Sequence, residues 1–178
     1  MNLKFSIIAL LILLSPTQAM LRPEKFQVAD SRKVPRYTVD GVVIGGDAAI
    51  DQVVVDDIRF SQKEKYERIV VNLIGLKEGA PAPIARPPYF QVEVSPDQRR
   101  VMLSLWGRPQ INFDPKIVQA RLKKSYLIDK VDLLPKLEPE IWNFVIHLKS
   151  GHAVEIFELK SPVRIVMDIR RKSAKVID

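Results

Sequence analysis

Three kinds of residue in this sequence could do chemistry: two histidines, a set of arginines and carboxylates in strand-like phase, and a few aromatics near predicted turns. Hydrolytic chemistry calls for a zinc site, an activated serine or cysteine, or paired carboxylates in a cleft. Cysteine is absent, which removes disulfides, thiol nucleophiles, zinc–thiolate sites and lipid attachment through cysteine. His147 and His152 carry no accompanying metal-binding motif. His147 falls on the polar phase of its segment and His152 follows Gly151, so both are expected at the surface. The acids form no recognisable pair, and the expectation is a protein without catalytic residues, metal or cofactor.

Binding chemistry is better represented. Arg164 and Asp168 share one phase of the last predicted strand, with Val166 between them, and Arg68 and Asn72 do the same on an earlier one. Such an outward polar row could hold acetylated sugars or peptide carboxylates, the arginines making two-pronged bonds. The competing reading is that these charges pair across strands and set register. Aromatic rings stack on sugar faces, which singles out Tyr66, Tyr89 and Trp106. Trp106 sits on the outward phase beside Gly107, and the tyrosines flank strands near loops. Trp142 shares phase with Phe144 and Ile146 and belongs to the core.

Period-two alternation, the mark of strands with one buried face, dominates the segments that must position these side chains. It places residues 69, 71 and 73 on one inward face, then 90, 92 and 94, then 101, 103 and 105. Residues 142, 144, 146 and 148 follow, and 165, 167 and 169 close the series. Between the last two sets Ile156 and Phe157 are adjacent apolars, which implies a bulge or a strand covered on both faces. Asp114 and Pro115 supply a helix start, and residues 116–124 lack glycine and proline. One short helix is therefore expected, with Ile117, Val118 and Leu122 inward and Lys116 and Lys123 outward.

An approximate internal repeat organises the strands. Ile58-Arg59-Phe60, then 69–73 and Gly75, is echoed by Val131-Asp132-Leu133, then 145–148 and Gly151; residues 100–105 parallel 164–169 at an offset of 164 − 100 = 64. Each half is then a four-strand unit with an oily face, and two such sheets should close on each other. The expectation is an all-β, two-sheet β-sandwich built from two similar four-strand halves, with a closed barrel as the alternative.

The ends bear on location. Lys4, an apolar run over residues 5–14 and Pro16-Thr17-Gln18-Ala19 read as an export signal spanning residues 1–19. The ten-residue run is short of the roughly 20 needed to cross a bilayer, so membrane contact is expected only if this segment is retained. Residues 20–52, punctuated by proline and glycine, read as an N-terminal extension able to add an edge strand, residues 53–172 as the sandwich and 173–178 as a tail. The net charge of +7 is weighted toward the C-terminus, at Lys160, Arg164, Arg170, Arg171, Lys172 and Lys175. An exported protein does not meet nucleic acid, so anionic glycan, lipid head groups or an acidic protein are the partners such a surface fits.

Asp57-Ile58-Arg59-Phe60 followed by residues 66–73 resembles the opening of an AMIN-type domain, named for its place at the amidase N-terminus. Residues 157–169, in which Pro162 precedes an arginine, an apolar triplet and an aspartate, resemble that family's close. The likeness spans about residues 53–170. The 30-odd residues between Trp106 and Trp142 exceed what a compact unit of that kind uses. What the resemblance implies is a non-catalytic sandwich, found beside cell-wall amidases and in secretins, that associates with peptidoglycan. No amidase or secretin portion is read after Ile169, so a stand-alone module acting by binding is expected, periplasmic or secreted. The rival expectation is a structural adaptor that offers a sheet edge or its helix to a secretin or pilus component.

Overall fold

The computed structural model describes residues 26–133 and 139–170; the predicted export signal and the C-terminal tail lie outside them. Two sheets enclose one core. The first runs in the order β1 (Phe26–Val28), β2 (Gly41–Gly45), β6 (Phe90–Ser95), β7 (Arg100–Leu105), β10 (Trp142–Leu148) and β9 (Ile128–Leu133). The second runs β11 (Ala153–Lys160), β12 (Val163–Arg170), β4 (Tyr66–Lys77), β3 (Val53–Gln62) and β8 (Gln110–Ile111), with β5 (Ala80–Ala82) paired to the end of β4. The chain is an all-β sandwich with one short helix.

Alternation explains the packing. Every strand residue assigned to an inward face between 69 and 169 is buried, and Ile69, Phe90, Leu103, Ile146 and Met167 are wholly withdrawn from solvent. β3 departs from strict alternation: its register shifts between Val55 and Asp57, and that extra residue lets Val53, Val55 and Ile58 all face inward despite the spacing of three. Ile156 and Phe157 resolve in the other way, because β11 keeps unbroken register with β12 and is covered on both faces.

Two expectations are corrected. The repeat suggested one sheet per half, yet each sheet takes one hairpin from each: β4 pairs with β12, and β7 with β10. Once residues 83–89 carry the chain from one sheet to the other, the two hairpins of a half lie in opposite layers and must find strand partners from the other half. The extension is also more than an added edge. Residues 26–45 supply two strands, and β2 lies inside the sheet between β1 and β6 with Val43 buried.

Helix α1 (Pro115–Leu122) starts as the sequence implied, the Asp114 carboxylate accepting from the Lys116 backbone N–H at 2.8 Å. Val118 and Leu122 are buried and Ile117 is exposed, so the apolar face is narrower than the three residues expected.

Candidate functional site

The six residues singled out by type fall into three places. Trp106 and Tyr89 meet at one end of the first sheet, where the Trp106 N–H donates to the Tyr89 carbonyl at 3.0 Å and extends the β6–β7 ladder. Their rings stand 5.0 Å apart at 56°. They line an open groove of about 480 Å³, completed by Ile50, Asp51, Arg108 and Glu140. Gly107 makes the groove possible: its φ is +86°, and a Cβ there would stand 2.8 Å from the Ile50 carbonyl oxygen. On the rim Arg108 donates to both oxygens of Asp51, the Nε bond being 3.0 Å. Both side chains are about half exposed, at 52% and 45%, so this ion pair contributes little to stability and is free to exchange for a ligand's polar groups.

Tyr66, Arg68 and Asp168 gather on the outer face of the second sheet. Asp168 lies directly opposite Arg68 on β4 and Glu155 on β11. Arg68 grips it in a fork, Nε to Oδ1 at 2.6 Å and Nη2 to Oδ2 at 2.8 Å. Lys33 closes over the top, donating to Asp168 Oδ2 and, at 2.9 Å, to Glu155 Oε2. The hydrogen bond to Asp168 leads the effects that raise the Arg68 pKa, against the opposing pull of burial. For Lys33 burial is the largest single effect and lowers its pKa, but the two carboxylates together outweigh it and the net shift is upward. Asp168 was expected on a solvent-facing row; it is fully buried, because residues 29–38 pass over this face and bridge to β11 at Phe157 and Val154. The cross-strand pairing foreseen for this aspartate is made with Arg68.

Arg164 stands apart, opposite Asn72, and donates from Nε to the Pro162 carbonyl at 3.0 Å. Lys33, Tyr37 and Glu155 had no sequence signal as site residues except that Glu155 shares phase with Phe157 on the strand suspected of being covered twice. Asp51 and Arg108 were also missed, since a loop-to-loop ion pair has no periodic signature.

The histidines behave differently from each other. His147 is part-exposed and shares a 2.6 Å hydrogen bond with Asp132. His152, expected at the surface, is buried, with Nε2 3.0 Å from Ser150 Oγ; the turn after Gly151 folds it inward. Among the described residues no group of three or more histidines and acids could hold a metal ion. Two further buried carboxylates serve as structural plugs. Glu67 accepts from the Tyr126 backbone at 2.9 Å and from the Ser125 hydroxyl, and Glu158 from Arg86 at 2.7 Å and the Gly46 N–H at 3.0 Å.

The hydrogen bond to His147 is the main cause of a lowered Asp132 pKa. A carboxylate held below its usual value adds stability above that value and loses it as pH falls through the folded-state value. Asp132→Asn is therefore expected to be slightly less stable than the parent at neutral pH, with the gap closing in acid below about pH 3.8. The effect is small because the pair is solvent-screened. Melting curves of both proteins from pH 7 to 2.5 check this; a gap that widens in acid would contradict it.

A scan against models of known protein families finds no match to this chain, and no curated protein matches it. The class that the fold defines is a two-sheet β-sandwich.

Proposed function

We propose that this protein is an exported, non-catalytic module of the cell envelope, AMIN-like in kind, that binds peptidoglycan and localises or supports an envelope complex. The observation that carries this reading is the tilted Tyr89–Trp106 pair lining an open groove with Arg108, Asp51 and Glu140 on its rim. Two rings set at an angle match the apolar faces of successive sugars, and a loosely held ion pair beside them meets acetamido and carboxylate groups. Arg68 and Asp168 are engaged with each other and act as scaffold in this reading, while the part-exposed Arg164 adds to a basic surface that attracts an anionic polymer.

The finer reading of two related halves has support in register. Asn72 faces Arg164 as His147 faces Arg100; the offset 164 − 100 = 64 is that of the sequence repeat, and 147 − 72 = 75 falls between the repeat's own 131 − 58 = 73 and 151 − 75 = 76.

The test is sedimentation of the mature protein with isolated sacculi. Trp106→Ala is expected to weaken binding by on the order of 10-fold or more, as loss of a central aromatic anchor does, with Tyr89→Ala acting in the same direction. Added salt should weaken it further through the arginines. Binding that survives the double Trp106→Ala, Tyr89→Ala change would reject the groove. The second reading, a structural adaptor, is favoured by one feature: among the described residues β1 is an edge of its sheet, exposing Phe26 at 46% and Val28 at 64%. Failure to pellet with sacculi together with pairing of β1 to an envelope protein, read by site-specific crosslinking at Val28, would select it.

A further inference from the structure

We propose that the enclosure walled by Tyr37, Tyr66 and Phe157 and floored by Asp168 and Glu155 is a recognition site for a primary ammonium at the end of a lysine-length chain. Lys33 is its resident occupant, and a ligand of that class takes the site when residues 31–36 lift away. The site is distinct from the Tyr89–Trp106 groove and does not depend on that groove's function.

The geometry is that of a cation receptor. The Lys33 ammonium lies 4.1 Å from the Tyr66 ring centroid, 5.8 Å from that of Phe157 and 5.9 Å from that of Tyr37. Below it stand two carboxylates that are almost wholly withdrawn from water, Asp168 at 0% and Glu155 at 1% exposure. An ammonium has three donors; Asp168 Oδ2 and Glu155 Oε2 take two, and the Tyr37 side chain lies beside the third. Glu155 Oε1 is buried in the same enclosure with no hydrogen-bond partner among the described residues, so an acceptor there is unused by the resident lysine. With Lys33 withdrawn, Arg68 is the cation still paired to the two carboxylates among the described residues, and the enclosure is left needing one positive charge.

The occupant is held by a strap that is easily lifted. Residues 31–36 form no strand, and Ser31, Arg32, Pro35 and Arg36 are exposed. The strap is pinned at its two ends, where the Glu158 N–H donates to the Asp30 carbonyl at 2.9 Å and the Thr38 N–H to the Val154 carbonyl at 2.9 Å. Between those pins the ion pairs of Lys33 and the stacking of Tyr37 against Arg170 of β12 hold it to the sheet. An exposed segment outside the strand ladders has low local stability. An external ammonium therefore competes with a tethered internal one of the same chemistry.

The experiment uses the full chain with Lys33→Ala and three additives at matched concentration: n-butylammonium, tetramethylammonium and n-butanol. n-Butylammonium reproduces the stem and donors of lysine, tetramethylammonium keeps the charge without donors, and butanol keeps the stem without charge. Lys33→Ala is expected to melt lower than the parent. n-Butylammonium should recover several degrees along a saturable curve, with little change from the other two. Recovery equal to that from tetramethylammonium would overturn the proposal. In the parent, n-butylammonium should speed amide exchange at Thr38 and Glu158, the two pins, and tetramethylammonium should not. This arm needs no variant to fold, and identical exchange with both additives would also overturn the proposal.

Discussion

Trp142→Ala is expected to destabilise the protein by about 3–5 kcal/mol, the range for removing a large aromatic from a packed core. Trp142 is 1% exposed and opens β10 opposite Leu105, at the same end of the sheet as the Trp106 groove. Its ring lies 5.9 Å from Phe144 in a stacked arrangement, and Phe113 meets it edge-on at 6.0 Å. Truncation removes both contacts and leaves a cavity that rigid strands on either side cannot close. A domain of this size holds roughly 5–15 kcal/mol in total, so the variant would be marginal at physiological temperature. Urea unfolding followed by Trp106, then the one remaining tryptophan, measures it. A loss below about 1 kcal/mol would mean that the site collapses freely and that Trp142 is not a keystone of the core.

Trp142 also marks what could be read without coordinates. Its phase with Phe144, Ile146 and Leu148 identified it as core because a strand with one oily face has a period that no other element imitates. The same logic recovered each inward set through Ile169, and the Asp114-Pro115 start placed the helix. What alternation cannot carry is knowledge of the opposite face. Asp168 is on the outward phase, and outward was taken to mean wet, yet β12 lies between β11 and β4 and a strap crosses above it. Hints were present in Val166, an apolar residue on the supposedly polar phase, and in Phe157 next to Ile156. The strap itself left no trace, since residues 29–38 touch the sheets through isolated bridges and single side chains such as Ala29, Lys33 and Tyr37, and such contacts have no period. The pairing of β4 with β12 was hidden for a related reason. Hairpin identity is local, but the choice of neighbouring hairpin depends on where the connections cross the core.

For the charged cluster the expectation is an asymmetry between partners. Arg68→Met should cost about 3–5 kcal/mol, because it strips the fork from a carboxylate that has no access to water and leaves Lys33 as its remaining charged partner. Asp168→Leu should cost less. Its removal frees Arg68, which is 24% exposed and can turn its charge to solvent, while Lys33 keeps its pair with Glu155. The raised Arg68 pKa keeps the guanidinium charged throughout any accessible pH range, so deprotonation offers no relief. In the double variant Arg68→Met, Asp168→Leu, neither buried charge is stranded, and an apolar pair on neighbouring strands packs at the directly opposed register. The double change is therefore expected to be closer in stability to the parent than Arg68→Met alone, with a coupling of about 1–3 kcal/mol in the cycle. Chemical denaturation of the four proteins gives that coupling directly. Additive losses would show that Lys33 alone satisfies Asp168, and that the fork contributes position without holding the strand pair together.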